Sequence, residues 1–148
     1  MEIAGGVVAV VSLSIQLADT VRKACGFLCR LRNASDEILL LIDKLDQLQF
    51  ILRQVSDVVE TQRQLRSPHE AIGAIQSAVC SCERNVKRLQ LMVLRLKPKN
   101  RTHLTNRAIL LSFKTAIKDE DIKKLRHRIN EDLLMLQTAL LINSTRLQ

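Results

Sequence analysis

The sequence predicts an all-α fold: a helical bundle of four to five helices with a hydrophobic N-terminal helix, in a single domain over residues 1–148. Three observations carry this reading. The apolar residues make up 47% of the chain and are almost wholly aliphatic, with three Phe, no Tyr and no Trp. Sheets favour aromatic and β-branched strands and need many turns, but the chain has only four Gly and two Pro. The apolar residues also recur in alternating steps of three and four, the period of a helix face, and no strand-like alternation is present. High apolar content without low-complexity tracts excludes disorder.

The first element, about residues 3–27, is uncharged from Ile3 to Ala18, with Ser12, Ser14 and Gln16 as its polar residues there. A helix apolar on most sides is either central in a bundle or in contact with lipid. Gly5 and Gly6 each lower helix propensity by about 1 kcal/mol relative to Ala, which loosens the first turns. Ser35 is the expected N-cap of the second element, about 35–62, and Asp36 and Glu37 suit the positive end of its dipole. Its stripe is Ile38, Leu41, Leu45, Leu48, Leu52, Val55 and Val59, a heptad seam, broadened on one side by Phe50 and Ile51.

The third element, about 68–97, has the best-marked start. Ser67-Pro68-His69-Glu70 places Ser at the N-cap, Pro at the first helical position and Glu at the third, a capping box. Its seam runs Ile72, Ile75, Val79, Cys82, Val86, Leu89, Val93, Leu96, and Pro98 stops it. A fourth element, about 102–118, carries Leu104, Ala108, Leu111 and Ile117. Asp119-Glu120-Asp121 reads as an acidic helix start for the fifth, about 119–146, which turns Ile122, Leu125, Ile129, Leu133, Leu136 and Leu140 to the core. Clean heptads in the second and third elements also fit a coiled coil, but seams of about four heptads beside other apolar helices favour antiparallel packing within one chain.

Charge is uneven along the chain. The total is +8, and residues 84–128 alone hold fourteen bases against three acids. Arg84, Lys87, Arg88 and Arg95 lie off the third seam, and Lys97, Lys99 and Arg101 follow it. These seven are the expected contacts to an anionic surface. The plainer alternative is that they coat solvated helix faces. Nucleic acid is disfavoured as the partner, because stacking platforms need aromatics and Phe113 is the one aromatic in the basic stretch. Anionic membrane lipids fit better, since the basic surface and the uncharged N-terminal segment supply two attachment signals.

Chemistry-bearing residues are sparse. Cys25 and Cys29 are spaced i,i+4, but Cys80 and Cys82 point about 200° apart on a helix, so buried free thiols are favoured over a zinc site. His69, His103 and His127 fall in no ligand spacing. Asp43/Asp46 and Glu131/Asp132 have ordinary helix-surface spacing. No nucleophile motif or phosphate loop is present, so the protein is read as non-enzymatic, with no catalytic residue and no cofactor. Glu2 precedes the first apolar run, where a signal peptide would carry positive charge, and Glu at position 2 is incompatible with N-myristoylation. Sixteen helical residues span about 24 Å, short of the ~30 Å hydrocarbon core. A reducing cytoplasm, with recruitment to membrane, is the expected location.

Met1-Glu2-Ile3-Ala4-Gly5-Gly6, followed by the run Val8 to Ala18, resembles the start of fungal HeLo-like N-terminal domains, which precede NACHT or ankyrin-repeat modules in STAND receptors. The similarity continues through Leu111-Ser112-Phe113-Lys114-Thr115-Ala116-Ile117 and the leucine-rich stretch from Ile122 to Leu141, with Phe113 where a Trp is common. The resemblance implies a signalling or cell-death bundle that oligomerises and acts at membranes through its first helix. Ile3, Val7, Val8, Val10, Val11, Leu13, Ile15 and Leu17 are then the membrane-engaging residues. The alternative is an interaction module of a STAND-type receptor with no direct membrane activity, its first helix permanently in the core and its seams serving internal packing or a helical protein partner. No NACHT module or repeat array lies within the 148 residues, so the chain is expected to be an excised domain or a small protein lacking that trigger.

Overall fold

The computed structural model describes residues 2–31, 34–65, 70–96 and 118–146, and these form four α-helices with no strand among them. They are α1 (Glu2–Cys29), α2 (Asp36–Leu65), α3 (Glu70–Leu96) and α4 (Asp119–Arg146). Each boundary lies within a few residues of its expected place. The helix expected at about 102–118 and the capping turn at Ser67 lie outside the described residues.

Local chemistry sets the visible ends. Ser35 caps α2 as expected: its Oγ accepts from the Ile38 amide at 3.4 Å, and its carbonyl accepts from the Leu39 amide at 3.1 Å. Asp36 and Glu37 fill the first turn of α2, and Asp119, Glu120 and Asp121 the first turn of α4, where negative charge meets the dipole. The Arg30 and Leu31 amides close α1 by donating to the Phe27 and Leu28 carbonyls, both at 3.2 Å.

All four helices bury a strict heptad seam. The α2 and α3 seams sit wholly in the core, as expected. On α1 the seam is Val7, Val10, Ser14, Leu17, Val21, Ala24 and Leu28. On α4 it is Ile122, Leu125, Ile129, Asp132, Leu136, Ala139 and Asn143, with Leu133 beside it. Three expectations are corrected. Asp132 is buried within the α4 seam rather than on the surface. Leu140 is only partly buried, because the 3–4 step from Leu136 lands on Ala139 and Asn143. Phe50 does not broaden the α2 seam; it stands 63% exposed on the outer side.

Residues that meet across the bundle give the helix directions. Cys25 bonds Asp46, while Ala18 and Asp19 share a cleft with Arg53 and Ser56, so α1 and α2 are antiparallel. Arg126 pairs with Glu37 at 3.2 Å, and Leu140 and Leu141 share a groove with Phe50 and Ile51, so α2 and α4 run parallel. Asn85 bonds Asp132, and Arg95 shares a groove with Asp121, so α3 and α4 are antiparallel. Around the bundle the order is α1, α2, α4, α3. The pairs α1/α4 and α2/α3 sit across the diagonals: the backbones of α1 and α4 stay apart, and those of α2 and α3 barely meet. The backbone of the first helix therefore lies against α2 and α3, while α4 is its diagonal partner across the core.

The parallel α2–α4 pair is tied at its start. The Ser35 hydroxyl donates to Asp119 Oδ1 at 3.2 Å, and both Nε and Nη2 of Arg126 donate to Glu37 Oε2 at 3.3 and 3.2 Å. Among the described residues no helix is long and apolar enough to cross a membrane.

Candidate functional site

The α3–α4 seam opens outward into a basic groove of about 270 Å³. Arg88 and Arg95 line it from α3, with Lys124 and Arg128 from α4, and Leu91, Met92 and Leu125 form its apolar floor. On α3 the two cations are a heptad apart and flank Leu91 and Met92. On α4 the cations at i and i+4 flank Leu125, so both helices present positive charge around one hydrophobic step. Asp121 is the single acid lining the groove. None of the four cations has a carboxylate within ion-pair distance among the described residues. Four cations against one acid, over an apolar floor, fit a ligand with an anionic head and an adjoining apolar portion.

A buried polar chain positions one edge of the groove. Asp132, 3% exposed, accepts from Asn85 Nδ2 at 2.6 Å and from the Ser81 hydroxyl at 3.4 Å. The Asn85 amide oxygen in turn accepts from Arg88 Nη1 at 3.4 Å. Burial raises the Asp132 carboxyl above its ordinary range, opposed by the two donors. A raised carboxyl favours folding while protonated, so its ionisation costs stability as pH rises through the folded value, and this cost disappears below the unfolded value. Asp132→Asn is therefore expected to melt higher than the parent at pH 7, by about 3 °C for each kcal/mol recovered, with the gap closing near pH 3. Melting curves across pH read this directly; a gap that widens on acidification contradicts it.

The four cysteines divide evenly. Cys25 and Cys82 are buried, as expected of free thiols, whereas Cys29 and Cys80 are exposed. Burial, together with a hydrogen bond to Asp46, pushes the Cys25 thiol up to about 12. Burial and the nearby Asp132 charge also raise Cys82. Both stay protonated and unreactive at neutral pH. Among the described residues no three His, Cys, Asp or Glu side chains gather as metal ligands.

The expected anion contacts are partly assembled. Arg84, Lys87, Arg88 and Arg95 are all exposed on α3, but only Arg88 and Arg95 turn into the groove. Lys97, Lys99 and Arg101 lie outside the described residues. Lys124 and Arg128 were not singled out as contacts; their i,i+4 spacing around Leu125 was the available signal. Along α1, Val7, Val10 and Leu17 are buried and Val11 and Leu13 half-buried, while Val8 and Ile15 are more than half exposed. The α1 seam also carries Ser14, fully buried with no hydrogen-bond partner among the described residues for its hydroxyl. The Ile3 side chain lies outside the described set.

No protein-family model matches this chain, nor does any curated protein or solved structure.

Proposed function

We propose that this chain is a non-enzymatic effector bundle of the HeLo-like, cell-death type, acting in the fungal cytoplasm. It self-associates and engages anionic membranes through the α3–α4 groove and its N-terminal helix. The observation that carries the reading is the groove: four cations that have no ion-pair partner among the described residues, around Leu91, Met92 and Leu125, suit a lipid headgroup with the start of its acyl chains. Val8 and Ile15, already exposed on an uncharged stretch of helix, supply a second, apolar signal. The Ser14 hydroxyl, buried with no partner among the described residues, weakens the seat of α1 by about 1–3 kcal/mol, which eases its release.

Sedimentation with phosphatidylserine-containing vesicles tests this, with phosphatidylcholine vesicles as the uncharged reference. Each of Arg88→Ala, Arg95→Ala, Lys124→Ala and Arg128→Ala is expected to weaken binding roughly fivefold, and the four together several hundredfold, with binding falling as salt rises. A parent chain that ignores phosphatidylserine vesicles even after forced oligomerisation ends the proposal.

A second reading has its own support. Val7, Val10 and Leu17 are core residues, so α1 can remain a permanent part of an interaction module of a STAND-type receptor whose partner is a helical protein. Vesicle sedimentation separates the two, because this second function needs no lipid.

A further inference from the structure

The outward faces of α2 and α3 form second seams that are exposed and opposite in charge, although Asp46 accepts from Cys25 at 3.4 Å, Asp43 from Gln47 at 3.1 Å, and Lys87 pairs with Glu83 at 3.7 Å. On α2, Asp36, Leu39, Asp43, Asp46, Phe50 and Asp57 are all exposed and follow a 3–4 stepped line, with Arg53 completing it as its one base. On α3, Ser77, Cys80, Arg84, Lys87, Leu91 and Leu94 are exposed along the same kind of line. A 3–4 stripe is what one helix offers another lying along it at about 20°. Each helix already spends one such stripe on its own core. Because α2 and α3 sit across a diagonal, the two outer stripes look away from each other and cannot meet within one molecule.

We infer that a second copy of this chain covers them: the outer stripe of α2 in one copy packs on the outer stripe of α3 in the next. Charge complementarity selects this occupant. The α2 helix carries six acids and three bases, whereas α3 carries four bases and two acids. Laid parallel, the two stripes set Asp43 opposite Arg84, Asp46 opposite Lys87, Phe50 opposite Leu91 and Leu39 opposite Cys80. Laid antiparallel, they set Asp43 opposite Lys87, Asp46 opposite Arg84, Leu39 opposite Leu91 and Phe50 opposite Cys80. In both directions the central acids meet the central bases, the exposed apolar side chains gain cover, and Arg53 meets Leu94 or Ser77 rather than a cation. Packing α2 on α2 would set Asp against Asp, and α3 on α3 would crowd Arg with Lys, so the contact joins unlike faces. The inference names the surfaces of the self-association in the proposed function and rests on that reading for its biological use.

Sedimentation equilibrium of the full chain, lipid-free and reduced, tests the interface. The parent is expected to associate with concentration and to dissociate as salt rises. Asp43→Lys/Asp46→Lys and Arg84→Glu/Lys87→Glu alter exposed positions and cost only the Cys25–Asp46 and Gln47–Asp43 hydrogen bonds and the Lys87–Glu83 pair, so circular dichroism should show unchanged helicity while association weakens roughly tenfold or more in each. Mixed in equal amounts, the two variants should associate again, because each then offers the other a complementary face. A parent that stays monomeric up to roughly 300 µM, or a mixture no more associated than its components, overturns the interface.

The exposed thiol of Cys80 reports direction. In a Cys29→Ser background under mild oxidation, Leu39→Cys links to Cys80 of another copy if the helices run parallel, and Phe50→Cys does so if they run antiparallel. Linkage by neither overturns the interface. The same charge-reversal variants are carried through vesicle sedimentation. Association retained by a parent that ignores phosphatidylserine vesicles counts against the membrane reading alone. Lipid binding by a parent that never associates counts against this interface alone.

Discussion

Val10→Asp is expected to strip α1 from the bundle, abolishing its cooperative melting or lowering its midpoint by more than about 10 °C. Val10 is 2% exposed within the hydrophobic core, so an aspartate there is buried as a charge, with the Ser14 hydroxyl one turn along α1 as the donor on its own face. Burying an unpaired charge costs several kcal/mol, and each kcal/mol moves the midpoint of a bundle this size by about 3 °C. Ile15→Asp is the companion measurement. Ile15 is 54% exposed, so the same change there should leave helicity and melting within about 2 °C of the parent. If α1 enters the bilayer, Ile15→Asp should nonetheless suppress vesicle permeabilisation. Retained melting in Val10→Asp would contradict the packing of α1, and full permeabilisation by Ile15→Asp would remove the outer face of α1 from membrane engagement.

Leu45→Ala should cost about 3–4 kcal/mol and lower the melting midpoint by roughly 10 °C. Leu45 is fully buried at the middle of the α2 seam, and α2 packs extensively on both α1 and α4, so neighbouring side chains cannot collapse into the space it leaves. Phe50→Ala removes a larger side chain from the same helix, yet should change stability by no more than about 0.5 kcal/mol, because the ring already stands in solvent. Chemical denaturation of both variants checks the contrast. Comparable losses in the two would mean that Phe50, not only the seam, carries core packing.

These two helices also show what the sequence could say. Alternating 3–4 steps of aliphatic residues place the seams of α2 and α3, because a heptad seam and a core face are the same geometric object, whereas Phe50, off the step, stands outside. On α4 the aliphatic pattern points to Leu133 and Leu140, whereas the buried line passes through the polar Asp132 and Asn143. Continuing the 3–4 steps from Ile122 lands on both. On α1 the inward face was not legible, since apolar side chains surround the helix and periodicity has nothing to contrast. Neighbour choice was less legible still: a seam says which face is buried, not against which helix, so the parallel α2–α4 pair was out of reach. The groove follows the same logic. Arg88 and Arg95 could be placed on α3 from spacing, but their meeting with Lys124 and Arg128 depends on the antiparallel register of α3 and α4, a tertiary property.

The diagonal placement of α2 and α3 has an electrical consequence. With surplus acid on one corner helix and surplus base on the opposite one, α2 and α3 together set up a dipole across the short axis of the described bundle. Within a Debye length of any negatively charged sheet, about 8–10 Å at physiological salt, that dipole experiences a torque that turns α3 inward and α2 outward before contact. Orientation is then selected during diffusion rather than by trial docking, which raises the productive on-rate without adding a single short-range bond. If copies stack α2 on α3 in an open row, as inferred above, their dipoles point the same way, so the moment would grow with each added copy and larger assemblies would be steered more strongly than single molecules.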